Sequence, residues 1–168
     1  MRVDPFHIMA KPIGPECNLN CSYCYYTEKA ALYPPRTQFR MTDAVLETYI
    51  KDYIAASALP EIMFFWQGGE PTLLGLDFFE SVVELQNKYK LENQTVTNSL
   101  QTNGTLIDDS WVGFLAENNF LVGISIDGPA RLHDRFRVGK KDEKTFVKVE
   151  QAIKILQAGG VEYNTLTT

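Results

Sequence analysis

An α/β fold with a parallel sheet is predicted for this chain, and three observations predict it. Strand-like and helix-like segments alternate along the sequence. The helical stretches are long enough to act as right-handed crossovers between parallel strands. The segment 61–67 (EIMFFWQ) includes a continuous apolar run, as expected for a strand covered on both faces.

The elements follow in chain order. Residues 7–11 (HIMAK) read as a short extended segment. Thr42 is the expected cap of a helix over 43–57, where Val45, Leu46, Tyr49, Ile50, Tyr53 and Ile54 recur at helical spacing. Met41 is placed to staple onto Leu46. After the strand at 61–67, a helix over 76–90 carries Phe78, Phe79, Val82, Val83 and Leu85 on a broad apolar face. Residues 95–102 (TVTNSLQT) read as the third strand. A shorter helix over 109–118 opens at Asp108 or Asp109, and residues 121–126 (LVGISI) follow as a strand. A helix over 146–158 lines one side with Phe146, Val149, Ile153 and Leu156. Thr145 is expected to cap its start and Gly159 its end. The fifth strand reads as 161–167 (VEYNTLT).

Composition narrows the function classes. A chain of 168 residues, 45% hydrophobic and 22% charged, suits one soluble globular domain with a substantial core. The net charge of −5 opposes phosphate contact, so no nucleic-acid partner is expected. Lys140 and Lys141 read as a solvated loop. No apolar run reaches about 18 residues, so no membrane span is expected. The start, MRVDPFHIMAK, lacks a basic region followed by a long apolar run, so no signal peptide is expected.

Cys17, Cys21 and Cys24 are the only cysteines, spaced C-x3-C-x2-C in CNLNCSYC. An odd count with no secreted context argues against a disulfide framework. Structural zinc needs a fourth ligand, and neither histidine, His7 or His133, is spaced as a neighbour. Three thiolates on one short loop can hold an iron–sulfur cluster and leave one iron without a protein ligand. Free, closely spaced thiols point to a reducing compartment, the cytoplasm.

The other motifs sit where strands end, which is where ligands gather in such sheets. The long connection from Pro12 to Arg40 carries the cysteines, and connections of that length are usually functional. QGGEP (67–71) follows the second strand, and Gly68-Gly69 alone reads as a tight turn; Gln67 is read as facing substrate or cofactor. Gln101, Thr102 and Asn103 end the third, with groups suited to ribose or peptide and an Asn-Gly turn as the alternative for Asn103. Ser125 and Asp127 end the fourth on one side of the strand, and Asp127 also reads as a turn stabiliser before Gly128-Pro129. Arg137, in HDRFR, reads equally as a surface arginine or as a carboxylate partner.

The run KPIGPECNLNCSYCYYTEKAALYP (11–34) resembles the cluster loop of the radical S-adenosylmethionine (radical SAM) superfamily, with Tyr23 in its aromatic place. FFWQGGEPTLLG (64–75), NSLQTNGTLI (98–107), LVGISIDGP (121–129) and HDRFR (133–137) extend the likeness to the anaerobic sulfatase-maturating enzymes. The resemblance implies a partial (β/α)6 barrel, here truncated after about five strands. Residues 1–168 would then be an incomplete core domain without the C-terminal auxiliary-cluster region. It implies a [4Fe-4S] cluster on Cys17, Cys21 and Cys24, with S-adenosylmethionine on the fourth iron. It places Tyr23 near the adenine, Gly68 and Gly69 on the methionine amino group, and Glu70 as an orienting residue. Ser125 would touch the cofactor, and Arg137 would lie near its carboxylate. The implied reaction is radical oxidation of a sulfatase cysteine or serine to formylglycine, with the general base expected beyond residue 168. The implied partners are a sulfatase polypeptide as substrate and a reducing electron donor such as flavodoxin or ferredoxin. Another radical SAM peptide-modifying enzyme, or a non-catalytic metal-binding fragment, are the alternatives.

Overall fold

The computed structural model describes residues 6–34, 37–57 and 59–168. The first five residues of the stretch read for a signal peptide lie outside them, as do residues 35 and 36 of the cysteine connection. Among the described residues a five-stranded parallel sheet runs in the order β1 (Met9–Ala10), β2 (Glu61–Trp66), β3 (Thr95–Thr102), β4 (Phe120–Ser125) and β5 (Tyr163–Leu166). Strand order in space repeats strand order in the chain. The helices are α1 (Tyr26–Lys29), α2 (Asp43–Ala56), α3 (Leu76–Tyr89), α4 (Asp109–Glu117), α5 (Ala130–Phe136) and α6 (Phe146–Ala158).

Local chemistry explains most boundaries. Thr42 Oγ1 accepts the Val45 N–H at 3.4 Å, and Asp108 Oδ1 accepts the Trp111 N–H at 3.0 Å. Each satisfies one orphan donor of a first helical turn. The expectation for Thr145 is corrected. Its hydroxyl donates to Arg137 O at 2.7 Å, and Asp134 Oδ1 instead accepts the N–H groups of Thr145 (3.0 Å) and Phe146 (2.9 Å). A carboxylate eleven residues upstream has displaced the local cap. Gly159 ends α6 with φ −83°, and the left-handed residue is the next one, Gly160, at φ 71°.

The core lies between the sheet and its helices. Ile62, Phe64 and Trp66 of β2 are buried against Leu46, Ile50, Tyr53, Phe78 and Phe79. Edge-on ring contacts link Trp66 to Phe78 and Phe79, and Phe79 to Trp111 and Phe120. Val45, expected on the apolar face of α2, is instead 53% exposed. β2 also departs from a strand covered on both faces. Met63 and Phe65 are only half-buried and, with His7 and Leu59, line an open hollow on the other side of the sheet. All strands point the same way, so their C-terminal ends meet at one rim, which the loops after β1 to β4 occupy.

Candidate active site

The cysteine loop is held at that rim by four backbone hydrogen bonds between residues distant in sequence. Asn20 N–H donates to Val138 O at 2.8 Å and Ser22 N–H to Phe136 O at 3.0 Å, so the loop lies along the segment that leaves α5. Met41 N–H donates to Pro12 O at 2.6 Å and closes the long connection at its base. Glu70 N–H donates to Glu16 O at 2.7 Å, one residue before Cys17. At Gly69, with φ 46°, a Cβ would stand 1.9 Å from that same Glu16 oxygen. Only glycine allows this approach.

A cavity of about 350 Å³ opens beside the loop. Cys21, Tyr23, Cys24 and Tyr25 line it from the loop, and Gln67, Gln101, Ser125 and Leu166 from strand ends. Arg137 and Thr168 complete the wall. Of the residues singled out in the sequence, Cys21, Tyr23, Cys24, Gln67, Gln101, Ser125 and Arg137 therefore meet around one space. Cys17, Gly68, Gly69 and Glu70 are not among the residues that line it. Glu70 is 1% exposed and turned into the chain. Its Oε1 accepts from Thr72 N–H (3.1 Å), Thr72 Oγ1 (2.7 Å) and Thr102 Oγ1 (2.7 Å), and its Oε2 from Asn103 N–H (2.7 Å). Burial raises its pKa, and these donors offset part of the rise.

Arg137 is no surface arginine. Its Nε pairs with Asp127 Oδ2 at 2.9 Å, with side chains 11% and 6% exposed, and its guanidinium stacks over the Tyr23 ring at 5.4 Å. Asp127 also accepts the Tyr23 hydroxyl, and its Oδ1 the Thr168 N–H at 3.2 Å. Burial is the strongest single influence on Asp127 and opposes its charge. The donors from Tyr23, Arg137 and Thr168 together outweigh it and hold the carboxyl below its ordinary pKa. Behind this knot, Asp127 N–H donates to His133 Nδ1 at 3.3 Å. The proton of the ring then sits on Nε2, 3.0 Å from Thr145 Oγ1. Burial, and next the charge of Arg137, keep His133 below its ordinary pKa, consistent with that neutral ring.

The Asp127 knot sets an acid dependence. A depressed folded-state pKa contributes stability that is complete above the unfolded value of about 3.9 and is lost as pH falls through the folded value. Asp127→Asn is expected to cost about 3 kcal/mol at pH 6, by leaving Arg137 without its buried partner. Denaturant titrations at pH 6 and at pH 3 should show that difference shrinking in acid, as the unfolded chain takes up a proton that the folded carboxylate resists.

Sequence reasoning named Gln101 and Ser125 separately and missed their contact. Gln101 Nε2 donates to Ser125 Oγ at 3.1 Å across the strand gap, over Gly123, whose Cβ would stand 2.2 Å from Gln101 Oε1. Asn18 and Thr105 also escaped it; both belong to the surroundings of Cys17. A glycine facing a long amide on the neighbouring strand was the one signal available for the first.

The three thiols are half-buried and form no disulfide. Burial raises Cys17 and pushes Cys21 up to about 11. Cys17 and Cys21 are therefore thiols until a metal centre replaces their protons. Among the described residues no three His, Cys, Asp or Glu side chains converge tightly enough to hold one metal ion. A single zinc ion needs such convergence. A four-iron cluster binds each thiolate on a different iron, so its sulfur ligands stand farther apart. The all-sulfur donor set on one loop, beside a cavity, fits that group.

The family model of the radical SAM superfamily matches residues 12–168. The chain belongs to this superfamily. Radical SAM proteins use a [4Fe-4S] cluster and S-adenosylmethionine, the pair that the donor set accommodates. Among curated relatives, a serine-type anaerobic sulfatase-maturating enzyme of Bacteroides thetaiotaomicron is 46% identical over 162 residues, covering 96% of this chain and 39% of that protein. A cysteine-type enzyme of Clostridium perfringens is 44% identical over 162 residues, covering 96% of this chain and 44% of that one. A solved structure described as native anSMEcpe with bound AdoMet and Cp18Cys peptide superposes with a TM-score of 0.87 at 44% identity, over 98% of this chain and 43% of its own. The radical SAM chain thus spans about two fifths of the length of these relatives.

Proposed function

We propose that residues 12–168 form the core of an anaerobic sulfatase-maturating enzyme, which oxidises a cysteine or serine of a sulfatase polypeptide to formylglycine. The observation that carries this reading is the cavity at the sheet rim where two of the three cysteines meet side chains from the ends of β2, β3, β4 and β5. A reduced cluster with bound S-adenosylmethionine would supply radical chemistry able to remove a hydrogen atom from Cβ of the target cysteine or serine.

The chain's own residues hold and orient. Cys17, Cys21 and Cys24 hold the cluster. Tyr23, locked through its hydroxyl to Asp127, offers an aromatic face to the adenine. Arg137 is fixed through Nε, and the rest of its guanidinium fork remains to receive the methionine carboxylate. Ser125 and Gln101 offer neutral hydrogen-bonding groups at the ends of β4 and β3. Gly68, Gly69 and Glu70 set the backbone that approaches the methionine amino group. The electron comes from a reducing partner of the flavodoxin or ferredoxin kind, in the cytoplasm. No described helix is long and apolar enough to cross a membrane.

Serine-type and cysteine-type relatives match almost equally, at 46% and 44% identity, so the target residue is decided by experiment. The protein, reconstituted anaerobically and reduced, is expected to release 5′-deoxyadenosine from S-adenosylmethionine. It is expected to convert a sulfatase-derived peptide to the formylglycine form, read by mass spectrometry. 5′-Deoxyadenosine with a cross-linked or otherwise altered peptide would instead assign another peptide modification. No cofactor cleavage by an iron-loaded protein would refute the enzyme reading.

A further inference from the structure

Cys17 stands apart from the other two cysteines in what surrounds its sulfur. Its Sγ accepts the Leu19 N–H at 3.3 Å and faces Asn103 Nδ2 at 3.7 Å. Leu19 is a neighbour in the loop. Asn103 is a buried side chain from the end of β3, 7% exposed and 86 residues away.

The orientation of that amide is forced. Asn103 Oδ1 accepts from Thr105 N–H at 3.0 Å and from Thr105 Oγ1 at 2.7 Å. A backbone N–H can only donate, so the oxygen of the amide faces Thr105 and the NH2 group faces the other way. One of its hydrogens goes to Asn18 Oδ1 at 2.8 Å, which leaves the other for Cys17 Sγ. Asn18 is held in turn by its Nδ2 donating to Thr105 Oγ1 at 2.8 Å. The backbone of Asn103 is pinned by Glu70 Oε2 at 2.7 Å. A turn before Gly104 would need only the Oδ1 acceptor, which aspartate supplies equally well. The turn has no use for an NH2 group aimed at a sulfur.

We propose that Asn103 sets the reduction potential of the cluster by donating an N–H···S hydrogen bond to the Cys17 thiolate. The inference rests on the reading that Cys17 ligates the cluster. Reduction adds one electron to the cluster from an external reductant and breaks no bond. The added negative charge is shared by the ligating sulfurs. A donor aimed at one of them stabilises the reduced form more than the oxidised form and raises the potential. Asn103 acts through Cys17 and away from the cavity, so it is a positioning residue rather than a catalytic one.

Redox titration of the anaerobically reconstituted protein, followed by the EPR signal of the reduced cluster, tests this. Asn103→Ala is expected to lower the equilibrium constant for one-electron reduction about tenfold, which is 59 mV for one electron. Asn103→Asp keeps the volume and the Thr105 contacts, removes the donor and adds a negative charge, so its shift should be larger in the same direction. Iron and sulfide per chain should match the parent in both. Equal potentials at equal cluster content would overturn the proposal. Loss of the cluster from both variants would also overturn it, and would make Asn103 a scaffold of the loop. A parent protein that takes up no iron and sulfide would remove the cluster reading itself, and this inference with it.

Discussion

Gly69→Ala is expected to abolish cluster assembly while leaving helix and strand content almost unchanged. The added Cβ would stand 1.9 Å from Glu16 O, 2.7 Å from Glu16 C and 2.9 Å from Glu16 N. All three are backbone atoms, so no side-chain rotation relieves the clash. The left-handed φ of 46° adds about 1–2 kcal/mol for any residue with a Cβ. The chain must move at Glu16, and the next residue is Cys17. The Glu70 N–H bond to Glu16 O, 2.7 Å long, would break with that movement. Iron and sulfide analysis after reconstitution should fall below about a tenth of the parent level, beside an unchanged far-UV circular dichroism spectrum. Gly75→Ala isolates the backbone cost. Gly75 has φ 82° but nothing within 4 Å of its Cβ position, so it should lose some stability and keep its cluster. Parent-level iron in Gly69→Ala would show that the loop does not depend on this approach.

The contrast between those two glycines shows what the sequence could and could not convey. Gly69 read as a turn glycine and Gly75 carried no reading, and only coordinates place the Glu16 carbonyl against the first. The sheet was legible because its signals are local. The run at 61–67 and the pattern at 95–102 each name a strand from neighbours in sequence, and the second matches β3 at both ends. Thr42 and Asp108 cap their own helices within one turn. The parallel topology then carries the motifs to one rim without further information. Contacts across long separations were not legible. Asp134 capping α6, the loop lying along residues 136–138, and Asn103 reaching Cys17 arise from elements brought together by folding. Spacing has no term for them. The charges of HDRFR left Arg137 open between a surface arginine and a carboxylate partner, and hid that the stretch is mostly the short helix α5, which supports the cysteine loop.

Glu70→Ala is expected to cost about 4 kcal/mol, more than the loss of a cavity-facing side chain. The carboxylate is fully enclosed and receives two backbone N–H groups and two hydroxyls. The hydroxyls of Thr72 and Thr102 can turn to other acceptors. The N–H groups of Thr72 and Asn103 cannot turn, and each is left buried without a partner at about 1–3 kcal/mol. A void the size of the lost side chain adds to this. Glu70→Gln keeps the volume and one acceptor oxygen but sets an NH2 group against a donor, so it should cost about half as much. Urea unfolding midpoints would order the three proteins parent, Gln, Ala. Both variants should also loosen the cysteine loop, because Glu70 connects the backbone at Glu16 to the backbone at Asn103. Cluster content should therefore fall in the same order as stability. A Glu70→Ala protein with the parent midpoint would mean that water enters to satisfy both amides, and that this carboxylate serves the cofactor side of the rim instead of the frame behind it.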